Sequence, residues 1–291
     1  MNALPVVRSI LFVPGIRPEF IAKAELAGPD ALVLDLEDSV AHDAKDAARK
    51  HVAGALRVRG DRLTLIRVNH PQLGMLEQDL SVLAPHARQA IVLPKVEQAG
   101  EVEVLDGLLG AFERANGLDA NSISVTVVVE SALGLRNLYD FIRAAPRVRG
   151  AALASAEEGD FIVDIGAQWT PEGTALAYAR GKFVCDARAA KVEWLLDGAF
   201  MNLTSTDALE RESRLARTCG FNGKMAIHPR QVAVINQVFS PSAAEIERAR
   251  KLIGAFRIAE AQGRGAVQFE GMMVDYANVK RAERLLALAA G

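Results

Sequence analysis

The feature that most constrains this chain is a recurrence of short apolar runs, unbroken rather than alternating, spaced roughly 20–40 residues apart. They fall at 10–13, 31–34, 63–68, 90–93, 125–129, 151–154 and 225–227. An eighth is expected within 194–203, where the text reads equally as a helix end or a strand. A strand with one wet face alternates; a strand covered on both faces reads as a continuous apolar run. Amphipathic stretches at 18–27, 44–56, 96–115 and 206–218 separate the runs. Strand then helix, repeated about eight times, specifies a parallel α/β sheet. The first run is followed by PGIRPEF, with one glycine and no GxGxxG fingerprint, so closure into a (β/α)8 TIM barrel is expected over an open doubly wound sheet.

A chain of 291 residues suits such a barrel as one catalytic domain, expected at 1–239. From Ser240 onward the pattern changes. A helix over 241–256, capped by Ser240, a Gly-rich loop with a short strand-like piece, and a terminal helix form a C-terminal helical extension over 240–291.

The formal net charge of −2 carries no basic excess of the kind a nucleic-acid binder shows. Cys185 and Cys219 are far apart and form no CxxC, which argues against a disulfide framework and against zinc. No signal peptide or membrane span is expected, and a cytoplasmic protein follows.

In a parallel barrel the loops after the strands share one rim, and active sites are built there. After successive runs come Pro14-Gly15, then Asp35, Glu37 and Asp38, then Arg67 and Asn69, then Lys95, then Glu130, then Glu157, Glu158 and Asp160, and finally His228. Helix capping accounts for Asp38 or Asn69, but poorly for Arg67, Lys95 or Glu130. Carboxylates without nearby cysteine, and with little histidine, suit Mg²⁺. Composition does not choose the ligands among these acids. Arg17, Lys23, Lys45 and Arg49 supply positive charge near the first two loops, either for phosphates or as solvated helix faces.

The segments RSILFVPG, ALVLDLEDSV, LIRVNHP, IVLPKVE, VVVESALGL, GDFIVDIG and KMAIHPRQV resemble the citrate lyase β-subunit family and its stand-alone relatives, the malyl-CoA, citramalyl-CoA and β-methylmalyl-CoA lyases. The resemblance implies a Mg²⁺-dependent carbon–carbon lyase acting on a 3-hydroxyacyl-CoA and yielding acetyl-CoA and an oxo acid, or the reverse condensation. It implies Glu130 and Asp160 as metal ligands, Arg67 as the grip on a substrate carboxylate, and Glu37 and Asp38 as acids that order metal-bound water or orient Arg67. The backbone at Ala132, Leu133 and Gly134 is then expected to hold the thioester oxygen. EGMMVDYANVKRA resembles the stand-alone lyases around an acid/base, here Asp275, on a segment that reaches a neighbouring subunit in a homo-oligomer, a trimer or hexamer. The other reading of Asp275 is a cap on the terminal helix. Two rival activities stay open: a subunit acting on an acyl-carrier protein, and an aldolase for free hydroxy-oxo acids. Many relatives carry Glu immediately before the metal Asp, where this chain has Gly159.

Overall fold

The computed structural model describes residues 5–290. Eight parallel strands close into a barrel in sequence order: β1 (Ser9–Pro14), β2 (Ala31–Asp35), β3 (Thr64–Arg67), β4 (Gln89–Leu93), β5 (Ser124–Val129), β6 (Val148–Leu153), β7 (Trp194–Asp197) and β8 (Gly223–Ala226). Pairing of Ser9 with Lys224 joins the last strand to the first. The ambiguous stretch at 194–203 thus resolves as a four-residue strand that ends at Asp197.

The continuous runs have a direct cause. Ile10, Val33, Leu65, Val92, Val128, Ala152, Leu196 and Met225, at least one residue from each of the eight strands, form one buried cluster, the filled interior of the barrel. Their neighbours Leu11, Leu32, Ile66, Ile91 and Val127 are buried as well, on the opposite strand face. Both faces being dry, neither parity of residue is left polar.

Helices α1 (Glu19–Leu26), α2 (Lys45–Arg59), α3 (Leu76–Leu80), α4 (Ala99–Ala115), α5 (Ala132–Arg143), α6 (Asp160–Asp164), α7 (Ala177–Ala189), α8 (Thr206–Cys219) and α9 (Pro229–Phe239) follow the strands. α4 starts three residues later than the apolar pattern predicts. Glu101 accepts the backbone N–H groups of Glu97 (2.8 Å) and Gln98 (3.1 Å), which fixes the start at a capping box.

The chain divides into two compact units after Gln237. In the second, α10 (Ala243–Ala261) and α11 (Tyr276–Ala290) flank an antiparallel hairpin of β9 (Val267–Phe269) and β10 (Met272–Val274). Leu252, Ile253, Phe256, Val274 and Ala282 make its core. Glu270 and Gly271, at φ 49° and 81°, form the tight two-residue turn that a hairpin's twist favours. Ser242, and not Ser240, caps α10, because Ser242 and Glu245 can exchange hydrogen bonds with each other's backbone. Among the described residues no helix is long and apolar enough to cross a membrane.

A fully buried ionic cluster ties β7 and β8 to α7 and α8. Lys224 Nζ lies 2.8 Å from Asp197 Oδ2 and 2.7 Å from Glu212 Oε2. Arg180 reaches Asp197 at 3.1 Å and Glu212 at 2.9 Å. Two cations and two carboxylates balance, which is what makes the burial tolerable. Asp197 also accepts a hydrogen bond from Ser155 Oγ, and Ser155 Oγ accepts the Gly198 N–H, so the cluster anchors the start of the loop leading to Asp160. Asp197→Ala would leave two buried cations sharing the single carboxylate of Glu212, and a loss of about 3–5 kcal/mol is expected in urea unfolding. A loss below about 1 kcal/mol would show that the cations find other partners.

Candidate active site

The mouth of the barrel is organised by a pair that strand register dictates. Asp35 and Arg67 are direct partners at the ends of β2 and β3. Arg67 Nε donates to Asp35 Oδ1 and Nη2 to Asp35 Oδ2, both at 2.7 Å. Asp35 also accepts the Glu37 N–H at 2.9 Å and the Ser39 N–H and hydroxyl. Burial works against its ionisation, yet Arg67 and these donors hold it below its ordinary value. Burial likewise opposes the charge on Arg67, and Asp35 with Glu37 more than restores it. The guanidinium stacks 5.1 Å from the Phe12 ring centroid. Gly15 is needed beside this pair, since a Cβ there would lie 2.6 Å from the Asp35 carbonyl oxygen.

This geometry refines the part expected of Arg67. Its Nε/Nη2 edge is spent on Asp35, which leaves the Nη1/Nη2 edge as its other face. Glu37 Oε2 already stands 3.0 Å from Nη1, and Asp38 Oδ2 3.8 Å from it. Glu37 and Asp38 therefore do flank Arg67, while Asp35 fixes its orientation.

Glu37, Asp38, Lys95, Glu130 and Asp160 line one cavity of about 790 Å³. Glu130, at the first position past β5, is 9 % exposed and accepts the Lys95 N–H at 3.1 Å. Burial, reinforced by the charge of Glu37, pushes it up to about 8. Asp160 opens α6 with its side chain 59 % exposed. Lys95 Nζ stands among the acids, 2.8 Å from Glu37, 2.9 Å from Asp38 and 3.7 Å from Asp160. Burial opposes its charge and the two nearer carboxylates hold it above its ordinary value.

Other candidates take different places. The Ala132 N–H donates to Asp164 Oδ2 at 2.7 Å, and the Gly134 N–H to Ser131 Oγ at 3.0 Å. Of the three groups expected to receive an oxyanion, two are committed; the Leu133 N–H, in the first turn of α5, has no intrahelical acceptor. His228 Nδ1 accepts the Arg230 N–H at 3.2 Å, the geometry of a helix start. Lys45 is not a solvated charge. It is buried, and its Nζ donates to the carbonyls of Leu36 (2.8 Å) and Glu37 (3.1 Å), bracing the Asp35–Asp38 loop. Arg49 is bonded to Asp46 and to buried Asp79. Arg17 is exposed and paired with Glu19. In the second unit Asp275 Oδ1 accepts the Ala277 N–H, and the Asp275 N–H donates to Asn278 Oδ1, both at 2.9 Å, so the capping geometry is present.

Sequence reasoning passed over Asp35 as Arg67's fixed partner, and Asp164, Glu97, Glu101 and His70 on the cavity wall. Asp35 was detectable as an acid at a strand end beside an arginine at the next. The wall residues come from helices and turns that no strand-end rule reaches.

A parallel barrel whose rim gathers carboxylates and two lysines in one open cavity, with Arg67 against the wall residue Glu37, has the strand-end placement of an enzyme site. The chain belongs to the HpcH/HpaI aldolase/citrate lyase family, which residues 8–229 match. Citrate lyase subunit beta of Leuconostoc mesenteroides is 34% identical over 291 residues, covering 99% of this chain and 95% of that one. An L-malyl-CoA/beta-methylmalyl-CoA lyase of Cereibacter sphaeroides is 33% identical, covering 97% and 94%. Among solved structures, CitE from Mycobacterium tuberculosis in complex with magnesium, acetoacetate and coenzyme A is 29% identical, with TM-score 0.78 over 98% of this chain and 99% of that one.

Because burial raises Glu130 from 4.5 to about 8, its protonated form favours the fold in metal-free protein. That contribution is complete below about 4.5 and is lost as pH rises through about 8. In EDTA, the thermal midpoint should fall across this range, and Glu130→Gln should flatten the fall. An equal slope in both proteins would remove Glu130 as its source.

Proposed function

We propose that the chain is a Mg²⁺-dependent carbon–carbon lyase of 3-hydroxyacyl-CoA thioesters, releasing an oxo acid and acetyl-CoA or running the reverse condensation. The observation that carries this reading is the meeting of Glu130 and Asp160 in one cavity whose wall residue Glu37 touches Arg67, in a chain similar along its length to citrate lyase and malyl-CoA lyase proteins.

The residues fit the metal. The donors are oxygen only, as Mg²⁺ prefers, and two carboxylates leave positions for water and substrate. Among the described residues no group of three or more His, Cys, Asp or Glu is arranged to hold a metal. Buried Glu130, pushed up to about 8, gains most from a nearby divalent cation. When bound, Mg²⁺ supplies Lewis-acid stabilisation of the charge that develops on the substrate oxygens.

The chain's own groups do the rest. Glu130 and Asp160 hold the ion. Arg67, locked by Asp35, offers its Nη1/Nη2 edge to the substrate carboxylate and so orients the hydroxyl carbon. Asp275, across a subunit boundary in a homo-oligomer, takes the hydroxyl proton as the bond between the hydroxyl carbon and the thioester α-carbon breaks, and the enolate left on that α-carbon takes up a proton to give acetyl-CoA. The Leu133 N–H steadies the thioester oxygen.

The test is a panel of malyl-, citramalyl-, β-methylmalyl- and citryl-CoA with Mg²⁺, scored for oxo acid. At least one thioester should be cleaved, and EDTA should stop it. Glu130→Ala and Asp160→Ala should each lower kcat/KM by about 10³-fold or more with melting retained. Release of an intact hydroxy acid and free CoA would mean thioester hydrolysis and would sink the reading. Asp275→Asn should cut kcat by about 10²–10⁴-fold with Mg²⁺ affinity unchanged; an unchanged rate would leave it a helix cap. Similarity to a citrate lyase β subunit favours a second reading, an acyl group presented on a carrier protein. Cleavage of carrier-bound citryl with the whole CoA panel inert would select it.

A further inference from the structure

Lys95 touches both carboxylates assigned to the metal, one through its backbone and one through its side chain. Its N–H donates to Glu130 Oε1 at 3.1 Å, and its Nζ lies 3.7 Å from Asp160 Oδ2. The same Nζ is 2.8 Å from Glu37 Oε1 and 2.9 Å from Asp38 Oδ1. The residue reaches this position at φ 55°, a left-handed conformation that side-chain-bearing residues adopt sparingly and that concentrates at functional sites. A lysine just beyond a strand, facing four acids across a cavity, serves no capping purpose.

We propose that Lys95 is a built-in counter-cation that keeps metal affinity low until an anionic oxo acid arrives, so that metal and substrate bind interdependently. The inference rests on the metal reading above. Glu37, Asp38, Glu130 and Asp160 would attract a divalent cation strongly if they faced it alone. Arg67 offsets part of this through Glu37, 3.0 Å from its Nη1, and shares the rest of its charge with Asp35. The ammonium of Lys95 places one positive charge within 4 Å of three of the four acids. It lowers the negative potential that a metal would feel and repels the metal directly. A substrate carboxylate arriving beside Arg67 restores the lost negative charge. Linkage then requires each ligand to raise the affinity of the other by the same factor. With Lys95 37 % exposed, solvent screening limits the size of the effect.

Calorimetric titration with MgCl2, alone and with saturating pyruvate, tests this. In the native chain pyruvate should tighten Mg²⁺ binding. In Lys95→Met the Kd for Mg²⁺ alone should fall about tenfold, and the gain from pyruvate should shrink by a similar factor. Lys95→Arg, which keeps the charge, should stay within about threefold of native. Lys95→Gln is titrated in parallel as a second neutral variant, so that misfolding of one does not remove the measurement. Neutral variants that bind Mg²⁺ no tighter than native overturn the proposal. So does Lys95→Arg binding as tightly as Lys95→Met, because shape rather than charge would then be responsible. A native chain that binds no Mg²⁺ with or without pyruvate overturns the metal reading and this inference together. Native binding that Glu130→Ala abolishes, with neutral Lys95 variants unchanged, overturns this inference alone.

Discussion

Parallel closure is the constraint on which everything chemical in this chain depends. Eight strands running the same way must finish at one rim, so Lys95, Glu130 and Asp160 arrive in one cavity, and the Asp35–Arg67 pair joins them through Glu37, without any local motif linking them. Register does the finer work. Because Asp35 pairs with Arg67 across β2 and β3, the arginine finds its carboxylate by strand alignment alone, and its planar fork is set before any substrate enters. Lys45 then braces the turn beyond Asp35 from below, through the carbonyls of Leu36 and Glu37.

The rim concentrates negative charge in a place with limited water, and the structure answers differently at each position. Asp35 is paired and stays ionised. Glu37 is raised by burial although Arg67 and Lys95 oppose the shift. Glu130 has only a backbone N–H and more distant cations, and burial dominates. The strongest unmet demand for positive charge therefore falls on Glu130, beside the open cavity. Between the barrel and its outer helices the cluster of Arg180, Asp197, Glu212 and Lys224 shows the opposite solution, two charges of each sign with solvent excluded.

The barrel was legible because burial on both faces leaves an unmistakable trace, an apolar run at each strand. The seventh strand was the exception. Asp197 at its end and Lys224 in its partner are buried charges, and a charge inside an apolar stretch reads as the edge of an element. The rim residues were legible for the same reason as the strands, since each follows an apolar run. What they do to one another was not. That Arg67 spends one edge on Asp35, that Lys45 is buried, and that the Ala132 N–H faces Asp164 depend on side-chain directions and loop paths. A sequence reports spacing along the chain and not those angles. The shift in the start of α10 has a local cause that spacing could have shown, the Ser242–Glu245 box.

The two acids assigned to the metal are unequal, and their inequality follows from what carries them. Glu130 stands at the end of a six-residue strand, buried and tethered by the Lys95 N–H. Asp160 begins a five-residue helix after an irregular turn in which Glu158 sits at φ 57°. Gly159 belongs to that turn: a Cβ there would lie 3.1 Å from the Ala156 carbonyl oxygen, so a larger residue forces a small shift of the loop. Placement of Asp160 then depends on the path of the loop from Ser155, whose hydroxyl is held by Asp197. The buried cluster and the open site are thereby joined through one loop, with a buried, tethered carboxylate and an exposed one facing the same cavity.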